Sequence, residues 1–336
     1  MFGRQQDVAA GAARVTPSGL RIARMLHEAA IPGLLTPWLQ ARYPGQPRVR
    51  SVFVYPGGAS NLTCRVDLEG ARWPAAVLRV QRERGIFEPY DVLREGQVIA
   101  ALRGTTIPVP ELYASEPDRA YLGAPFLLME WVDAPHMGEA PPGEASFSAF
   151  AAMVARIHDL DWRASGLGFL GVPGSAREAL VGELDAVEAR YERFARSEAP
   201  VLGEALAVLR RAAPGDGALR LCQGDINVYN YLVRGGQVAA VIDWEQARIS
   251  DPRSDIGQLI ALSHLKGAPF GPADEQGFAQ LYRACGGDAR GLAFFRARWL
   301  TELGVIYFGW KAFNASSPWY ELDHLVELLS ASLAEL

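Results

Sequence analysis

Residues 221–245, LCQGDINVYNYLVRGGQVAAVIDWE, carry the pattern that decides the fold. Two apolar, partly β-branched runs at 231–233 and 238–242 flank the pair Gly235-Gly236. A two-residue glycine turn between such runs is typical of a tight β-hairpin, because glycine adopts the positive φ angles that these turns need. The stretch therefore predicts a short hairpin that follows a polar loop.

The hairpin turn determines which residues of its two strands face each other. With the glycines as the turn, Arg234 lies opposite Gln237, and counting back puts Asn230 opposite Val241. Asp243 then lies two residues further along the strand, about 7 Å away at about 3.3 Å per residue. An amide and a carboxylate are therefore expected at the same end of the hairpin.

A third oxygen-bearing side chain, that of Asp225, lies in the loop that leads into this end of the hairpin. A carboxylate together with an amide oxygen suits a hard cation such as Mg²⁺, and the remaining carboxylate can orient a hydroxyl group. The order Asp-x4-Asn, followed by an Asp at the end of an apolar strand, matches the catalytic loop and the metal-binding Asp of kinases. An ordinary surface hairpin with polar residues at its mouth is the alternative at this point.

Composition and charge limit the class of protein. The chain has 336 residues, 49% of them hydrophobic, which is enough for one large or two modest domains. A net charge of −5 argues against a nucleic-acid partner, which needs a basic face. No long uncharged apolar run and no signal segment are present, so no membrane association is expected. Three widely spaced cysteines without a CxxC pair fit a reducing compartment, and we expect a cytoplasmic protein.

The N-terminal part of the chain predicts one helical stretch followed by a small sheet. Helical character over Thr16–Leu39 is interrupted at Pro32-Gly33, and strand-like runs follow at 52–55, 62–68 and 75–80. The first two runs are joined by PGGASN (56–61), and such a glycine-containing turn can bring backbone N–H groups close to phosphate oxygens. A plain hairpin turn is the alternative. A Walker A loop is excluded, because the sequence contains no Gly-Lys-Ser/Thr.

Glu88–Leu102 has the apolar spacing of a helix, and Glu95 lies on the face that should be buried. An unpaired buried charge is costly, so Glu95 needs a cationic partner, which Arg79 in the neighbouring strand offers. Kinases hold the nucleotide phosphates with a strand lysine that a helix Glu braces. No lysine precedes Lys266, so an arginine has to take this part. A purely structural ion pair, or no contact at all, is the alternative.

The rest of the chain is predicted to be mainly helical. Phe126–Val132 is an apolar strand followed by a Pro-containing break, so we divide the chain into lobes at 1–132 and 133–336. Helices are predicted at 146–160, 176–194, 203–212, 256–265, 273–284, 293–313 and 320–333. The charged residues of 177–198 are mixed in sign, as is typical of a solvent-exposed face.

Residues 166–171, GLGFLG, match the GxGxxG pattern of dinucleotide-binding proteins. That fingerprint requires a strand before it and a helix that opens within it. Here a helical stretch with Ile157 and His158 comes first, and Val172-Pro173-Gly174 follows. The sequence therefore argues against a nicotinamide-dependent oxidoreductase.

Taken together, these motifs resemble the aminoglycoside phosphotransferase and choline kinase-like phosphotransferase family, whose members share the two-lobed protein-kinase-like fold. The similarity runs from about Val52 to Asp255, at 57–66, 77–80, 93–102, 126–134, 155–162, 223–230 and 241–257. The last two segments are the most specific. Among branches of the family, the sequence looks most like the kinase-like domain fused to some acyl-CoA dehydrogenases. The resemblance implies an α+β fold with a small β-rich N-terminal lobe and a mainly helical C-terminal lobe.

The resemblance also implies a role for each motif residue. Asp225 is implied as the catalytic base, Asn230 and Asp243 as Mg²⁺ ligands, and Asp255 as a support for the catalytic loop. The nucleotide, ATP or GTP, is implied to bind at Gly58, Ser60, Asn61, Arg79 and Glu95, with the backbone at Glu130 and Val132 meeting the base.

The implied activity is phosphoryl transfer to a hydroxyl group of a small molecule, such as a hydroxylated acyl compound or an antibiotic. Gln223 stands where the family has His, and Tyr229 stands where it has Gly. These departures keep open a nucleotide-binding pseudokinase with a regulatory role. Many aromatic residues after position 270 favour a less cationic, partly apolar acceptor.

Overall fold

The computed structural model describes residues 26, 28–55, 60–140, 147–266, 275–314 and 317–336. In the N-terminal part a five-stranded antiparallel sheet is the main feature, whereas the remainder consists mainly of helices. This architecture confirms the predicted α+β class, with a small β-rich lobe and a larger helical one. The division at 132/133 stays a prediction.

The strands of the N-terminal sheet follow the order β1-β2-β3-β5-β4. They are β1 (Arg48–Val54), β2 (Leu62–Glu69), β3 (Ala75–Val80), β4 (Leu112–Glu116) and β5 (Phe126–Glu130). The sequence did not predict β4, LYASE, because Ala, Ser and Glu are poor strand formers. Pairing with the apolar strand β5 stabilises it instead. The first strand also begins earlier than predicted, at Arg48 rather than Val52.

Helix α1 (Ile31–Arg42) covers one face of this sheet, preceded by a single 3-10 turn over Glu28–Ala30. The predicted interruption at Pro32-Gly33 is wrong, because Pro32 lies in the first turn of the helix. At that place the missing N–H of proline costs nothing. Trp38 of α1 packs edge-on against Phe126 of β5 at 5.1 Å between ring centroids. The predicted helical residues 16–25 and 27 lie outside the described residues.

Helix α2 (Val92–Leu102) packs against the opposite side of the sheet. It begins at Val92 rather than at the predicted Glu88, because Asp91 caps it by accepting the N–H of Arg94. The predicted apolar face is buried, and Glu95 is buried on the same face with 1% exposure. Helix α2 therefore presents a carboxylate to the interior beside β3.

The helical lobe is built around one long helix, α9. After the short α3 (Arg119–Leu122), its helices are α4 (Phe147–Asp159), α5 (Ala176–Phe194), α6 (Pro200–Ala212), α7 (Arg253–Lys266), α8 (Glu275–Ala284), α9 (Leu292–Phe313) and α10 (Leu322–Ala334). Helix α9 contacts α5, α6, α7 and α10. A Cβ at Gly257 would lie 2.5 Å from Phe295, so glycine permits the close approach of α7 and α9. The predicted helix bounds agree with these within three residues, apart from 146 and 273–274, which lie outside the described part.

Two short antiparallel ladders carry the predicted hairpin and the loop before it. Strand β6 (Arg220–Cys222) pairs with β9 (Arg248–Ser250), and β7 (Tyr231–Arg234) pairs with β8 (Gln237–Val241). Gly235 and Gly236 form the turn of the second ladder, with φ angles of 57° and 75°. The predicted hairpin is therefore present, with Arg234 opposite Gln237 as predicted.

The predicted pairing of Asn230 with Val241 is wrong by one residue. An irregularity between Leu232 and Val233 shifts the register, so Tyr231 pairs with Val241. The carbonyl of Asn230 instead accepts the N–H of Ile242 at 2.9 Å. Asn230 therefore lies opposite Ile242, one residue before Asp243, whereas in the regular hairpin it would lie two residues before Asp243.

Residues 166–171 do not form a dinucleotide site. They lie beyond the end of α4 and contain only a short 3-10 turn at Leu167–Leu170, with no preceding strand. Among the described helices, none has the length and apolarity needed to cross a bilayer. The three cysteines are free thiols, with Cys64 and Cys222 buried and Cys285 exposed.

Candidate active site

The loop between β6 and β7 fixes Asp225 through both of its carboxylate oxygens. Oδ2 accepts a hydrogen bond from Asn230 Nδ2 at 2.8 Å, and Oδ1 accepts one from Gln258 Nε2 of α7 at 2.8 Å. Asn230 Nδ2 also donates to the main-chain oxygen of Asp225 at 2.7 Å. Because the amide nitrogen of Asn230 is used in this way, its oxygen is the atom left for a cation.

The pKa of Asp225 is raised to about 6. Burial is the largest cause and the negative charge of Asp243 adds to it, whereas hydrogen bonds from Asn230, Gln258 and Asn227 oppose the shift. A carboxylate with such a pKa is ionised at neutral pH and still has appreciable affinity for a proton. This is the property required of a group that accepts a proton from a hydroxyl.

Asp243 follows β8 and has a left-handed backbone, with φ of 61°. This conformation is uncommon for a residue other than glycine and costs about 1 kcal/mol or more, so the surroundings have to maintain it. The Oδ1 atom of Asp243 lies 3.2 Å from Nη1 of Arg79. The strained backbone thus places a metal-ligand candidate beside the cation of β3.

Arg79 lies among three carboxylates. Nη1 is 3.0 Å from Oε1 of Glu95 and 3.2 Å from Asp243, and Nη2 is 3.0 Å from Oε2 of Glu245. Burial alone would lower the pKa of Arg79, but the three carboxylates more than reverse this effect and keep the guanidinium charged. The predicted ion pair between Arg79 and Glu95 is present.

Glu245 belongs to the site, and the sequence analysis missed it. No local signal pointed to it, because its partners Asn61 and Arg79 are distant in the sequence. Its side chain is 13% exposed and accepts a hydrogen bond from Asn61 Nδ2 at 3.0 Å. Glu245 therefore connects the loop after β1 with the segment after β8.

The negative charge of the site exceeds its positive charge. Burial is the largest cause that raises the pKa of Glu95 to about 7 and that of Glu245 to about 8, with a further contribution from Asp243 and a partial offset from Arg79. Three carboxylates thus share one arginine, and a fourth, that of Asp225, interacts electrostatically with Asp243. Oxygen ligands with excess negative charge are the donor set that Mg²⁺ prefers, so the residues present fit a divalent cation. Asn230, Asp243 and Glu245 are the candidates to hold it.

Two of the three predicted nucleotide-loop residues, Ser60 and Asn61, lie beside the carboxylate cluster. Ser60 and Asn61 are buried, and the Ser60 hydroxyl favours the charged form of Glu245. Gly58 lies outside the described residues. These contacts put the end of the loop within reach of the carboxylate cluster.

The two residues predicted to contact the nucleotide base, Glu130 and Val132, do not lie in the carboxylate cluster. The N–H of Glu130 donates to the carbonyl of Glu111, and the carbonyl of Val132 accepts from the N–H of Ala134. Glu130 lines a second cavity of about 370 Å³, at the end of the sheet next to Trp131 and Arg65. The structure does not bring these residues together with the carboxylate cluster, and their contact with a base stays a prediction.

A cavity of about 380 Å³ opens beside the cluster and is chemically divided. One end carries Asp225, Asp243, Glu245 and Arg79. A second part of the lining, the apolar wall, comes from α7, α9 and the segment before α10, and its apolar and aromatic members include Leu262, Trp299, Leu303, Ile306, Trp310 and Trp319. A ligand that fills this cavity therefore meets a charged end and an apolar wall.

Asp255, in the first turn of α7, is a buried acceptor for the loop. It accepts the N–H groups of Gln223 at 2.8 Å and Gly224 at 3.2 Å, and it lies 3.2 Å from His158 Nε2. His158 Nδ1 bonds in turn to the hydroxyl of Tyr282. His158, Asp255 and Cys222 could be taken for a metal site, but these hydrogen bonds already use the first two, and burial raises the pKa of the Cys222 thiol well above its usual value.

Gln223 stands where the resemblance expects His, and it makes specific contacts. Its Nε2 donates to the carbonyls of Ile242 at 3.0 Å and Asp243 at 3.3 Å. Its Oε1 accepts from the hydroxyl of Tyr231 at 3.4 Å. The neutral amide therefore ties the catalytic loop to the segment that carries Asp243.

Comparison with known proteins finds a family of phosphotransferases. Residues 53–295 match the phosphotransferase enzyme family. Acyl-CoA dehydrogenase family member 10 of Mus musculus is 26% identical over 210 residues, which cover 59% of this chain and 19% of that protein. The match thus spans about a fifth of the length of this curated relative.

Solved structures of phosphotransferases share the fold. The ternary complex of aminoglycoside phosphotransferase APH(4)-Ia with ADP and hygromycin B superposes with a TM-score of 0.64, at 14% identity, over 91% of this chain and 98% of that one. The GDP and kanamycin complex of APH(2″)-IIIa gives 0.60 at 19% identity, over 90% and 98%. These likenesses confirm the predicted two-lobed protein-kinase-like fold.

Proposed function

Because this chain belongs to the phosphotransferase enzyme family, we propose that it transfers a phosphoryl group from ATP or GTP to a hydroxyl group of a small molecule. The observation that carries the proposal is the convergence of four side chains at a single cavity. Asp225, Asp243 and Arg79 line this cavity, and Asn230 is hydrogen-bonded to Asp225. Relatives with this fold carry ADP and GDP in their solved complexes, so both nucleotides are candidates.

In the proposed reaction, Asp225 orients the acceptor hydroxyl and takes its proton as the oxygen attacks the terminal phosphorus. The carboxylate is suited to this role, because Asn230 and Gln258 hold both of its oxygens in place. Its raised pKa increases its affinity for the proton. In phosphoryl transfer, positioning of this kind supplies much of the catalysis.

A divalent cation would be held by the oxygen ligands Asn230, Asp243 and Glu245, and it would neutralise charge on the phosphates. Arg79 would bind phosphate oxygens with the guanidinium N–H groups that now face Asp243 and Glu245. Glu95 would keep the arginine in place, since this pair is buried on both sides. An arginine suits this task because its planar donors match the oxygens of a phosphate.

The acceptor is proposed to have an apolar body and no multiple positive charges. The described acidic residues that line the cavity, namely Asp225, Asp243 and Glu245, all lie at the phosphate end. A polycation would need further carboxylates along the apolar wall, which is formed by groups such as Trp299, Leu303 and Ile306. Burial of an apolar acceptor against this wall would contribute about 25 cal/mol per Å².

Product detection by mass spectrometry tests the proposal directly. The protein is incubated with ATP or GTP, Mg²⁺ and a panel that contains hydroxylated acyl compounds, apolar hydroxylated antibiotics and aminoglycosides. The expected result is a phosphorylated product from an apolar hydroxyl compound, absent when the metal is chelated. Formation of product from aminoglycosides alone would contradict the proposed acceptor class.

A pseudokinase is the second candidate, and one observation favours it. Tyr229 replaces the small residue expected in this loop, and its side chain lines the cavity beside Asp225. This arrangement narrows the space for an acceptor. Binding of ATP and Mg²⁺ in a thermal-shift experiment, without any phosphorylated product across the panel, would support this second function.

A further inference from the structure

The segment that carries Asp243 and Glu245 has an unusual set of main-chain contacts. We define residues 242–247 as the metal-ligand segment. Each of its six carbonyls accepts a hydrogen bond, two of them from Gln223 and one from the N–H of Ala247. Arg248 bonds to the carbonyl of Gln246 at 3.4 Å, and the remaining two bonds come from Arg94.

Arg94 reaches this segment from α2. Its Nη1 donates to the carbonyl of Glu245 at 3.2 Å, and its Nη2 donates to the carbonyl of Ala247 at 2.7 Å. Arg94 directly precedes Glu95, the residue that braces Arg79. Two neighbouring residues of one helix turn thus hold both the phosphate-binding candidate of β3 and the backbone that follows Asp243.

This contact bears on the strained backbone of Asp243. A left-handed aspartate relaxes unless the chain on both sides is held, and Gln223 holds the N-terminal side through the carbonyls of residues 242 and 243. On the C-terminal side, Arg94 makes two charge-assisted contacts, at 3.2 and 2.7 Å. Arg94 is not among the described residues that line the cavity, so it acts through the segment and not on a ligand.

We propose that Arg94 is a positioning residue, which fixes the metal-ligand segment to α2 so that Arg79, Asp243 and Glu245 keep one arrangement. The catalytic part of this inference rests on the proposed function. The contact of Arg94 with the metal-ligand segment is present without any ligand. The charged groups that face Arg94 are Asp91 at the start of α2 and Arg248 of β9, and neither replaces its two hydrogen bonds.

Hydrogen exchange on the ligand-free protein tests the positional role independently of activity. Arg94→Met removes both hydrogen bonds and keeps much of the apolar stem, whereas Arg94→Lys keeps the charge on a single nitrogen. Arg103→Met is the matched control, since Arg103 follows the same helix and its side chain is 69% exposed. We expect amide exchange in peptides covering 242–247 to be at least about tenfold faster in Arg94→Met, intermediate in Arg94→Lys and unchanged in the control.

Nucleotide binding supplies the second readout. ADP affinity is measured by calorimetry with Mg²⁺ and with a chelator, in the wild type and each variant. We expect Arg94→Met to lose at least about tenfold of the Mg²⁺-dependent affinity, while ADP binding without metal changes less than about threefold. A merely structural role would weaken both affinities equally, and that outcome would overturn the inference.

The experiment separates failure of this inference from failure of the proposed function. If the wild type binds no nucleotide, the proposed function fails, and the exchange data alone decide the role of Arg94. If Arg94→Met does not fold, Arg94→Lys decides in its place. Wild-type exchange over 242–247 in the variant that folds would overturn the inference.

Discussion

Glu183 of α5 offers a quantitative test of the packing beneath the site. Its carboxylate accepts hydrogen bonds from Arg248 Nε at 3.0 Å, Ser254 Oγ at 3.0 Å and the hydroxyl of Ser250, and it lies 3.1 Å from Arg298 Nη2. Its side chain is 8% exposed. One buried carboxylate thus links α5 to β9, to the start of α7 and to α9.

The magnitude follows from the pKa of this group. Burial alone would raise the pKa of Glu183, but the two arginines and the Ser250 hydroxyl lower it from 4.5 to about 2. At about 1.4 kcal/mol for each tenfold change in proton affinity, the charged form contributes about 3 kcal/mol to folding at neutral pH. Because the folded-state pKa is the lower one, this stabilisation is present above about pH 4.5 and disappears as the pH falls towards 2.

Glu183→Gln should therefore lower the free energy of unfolding by about 3 kcal/mol at pH 7. The difference from the wild type should shrink to less than about 1 kcal/mol near pH 2, where the native carboxyl is itself becoming neutral. Denaturant unfolding, followed by tryptophan fluorescence and circular dichroism at several pH values, measures this difference. Other carboxylates titrate in both proteins and cancel in the comparison.

The matched control is Glu192→Gln on the same helix. Glu192 pairs with Arg196 at the surface, where both side chains are at least 45% exposed, so its loss should change stability by less than about 0.5 kcal/mol. A Glu183→Gln variant as stable as this control at pH 7 would refute the reasoning. So would a stability difference that stays constant between pH 7 and pH 2.

Three further predictions concern the site itself. Gln258→Met removes a hydrogen bond that favours ionised Asp225. The acid limb of kcat/KM, expected near pH 6, should therefore move to higher pH by about one unit. An unmoved pH–rate profile would contradict this. Arg79→Met leaves Glu95 buried without its cation, so it should cost about 3 kcal/mol of unfolding free energy and most of the ADP affinity. Arg79→Lys should recover part of both. Wild-type stability of Arg79→Met would count against a stabilising ion pair. Ile306→Lys places a charge in the apolar wall. It should raise KM for the acceptor at least about tenfold, while KM for ATP stays constant. An equal rise in both KM values would argue against an acceptor site at this wall.

The hairpin shows how much of this site the local sequence specifies. Gly235-Gly236 and the flanking apolar runs are enough to predict the turn and the pairing of Arg234 with Gln237, because both depend on adjacent residues. The irregularity after Leu232 depends on how the strand meets the rest of the lobe, so the position of Asn230 was wrong by one residue. The chemistry of the site survived that error, because the amide remained at the same end of the hairpin.

The ion pair between Arg79 and Glu95 was predictable because burial of a charge demands a partner. Glu245 and Arg94 were harder to predict. Their partners are Asn61 and Arg79 in one case and main-chain carbonyls in the other, and contacts that distant in sequence have no periodic signal. Asp255 was predicted as a loop support from the family resemblance, and the structure puts it under the N–H groups of Gln223 and Gly224.

The mixed-charge stretch 177–198 illustrates a pattern that misleads. Its composition is typical of a solvent-exposed face, yet the Glu183 side chain is only 8% exposed and Arg190 pairs with the buried Glu302. A charge that is buried with several donors cannot be told from an exposed one by composition alone. The prediction of an exposed face was therefore wrong at these positions, whereas Glu192 and Arg196 are exposed as expected.

Asp225 is the proposed base of the phosphoryl transfer. The most direct test of this role is the rate of phosphorylated product formation by wild type and Asp225→Asn, with ATP, Mg²⁺ and an apolar hydroxyl compound at saturating concentrations. Nucleotide affinity is measured alongside. We expect Asp225→Asn to bind ATP within about threefold of the wild type and to lose product formation at least about hundredfold. Wild-type turnover in Asp225→Asn would contradict this role.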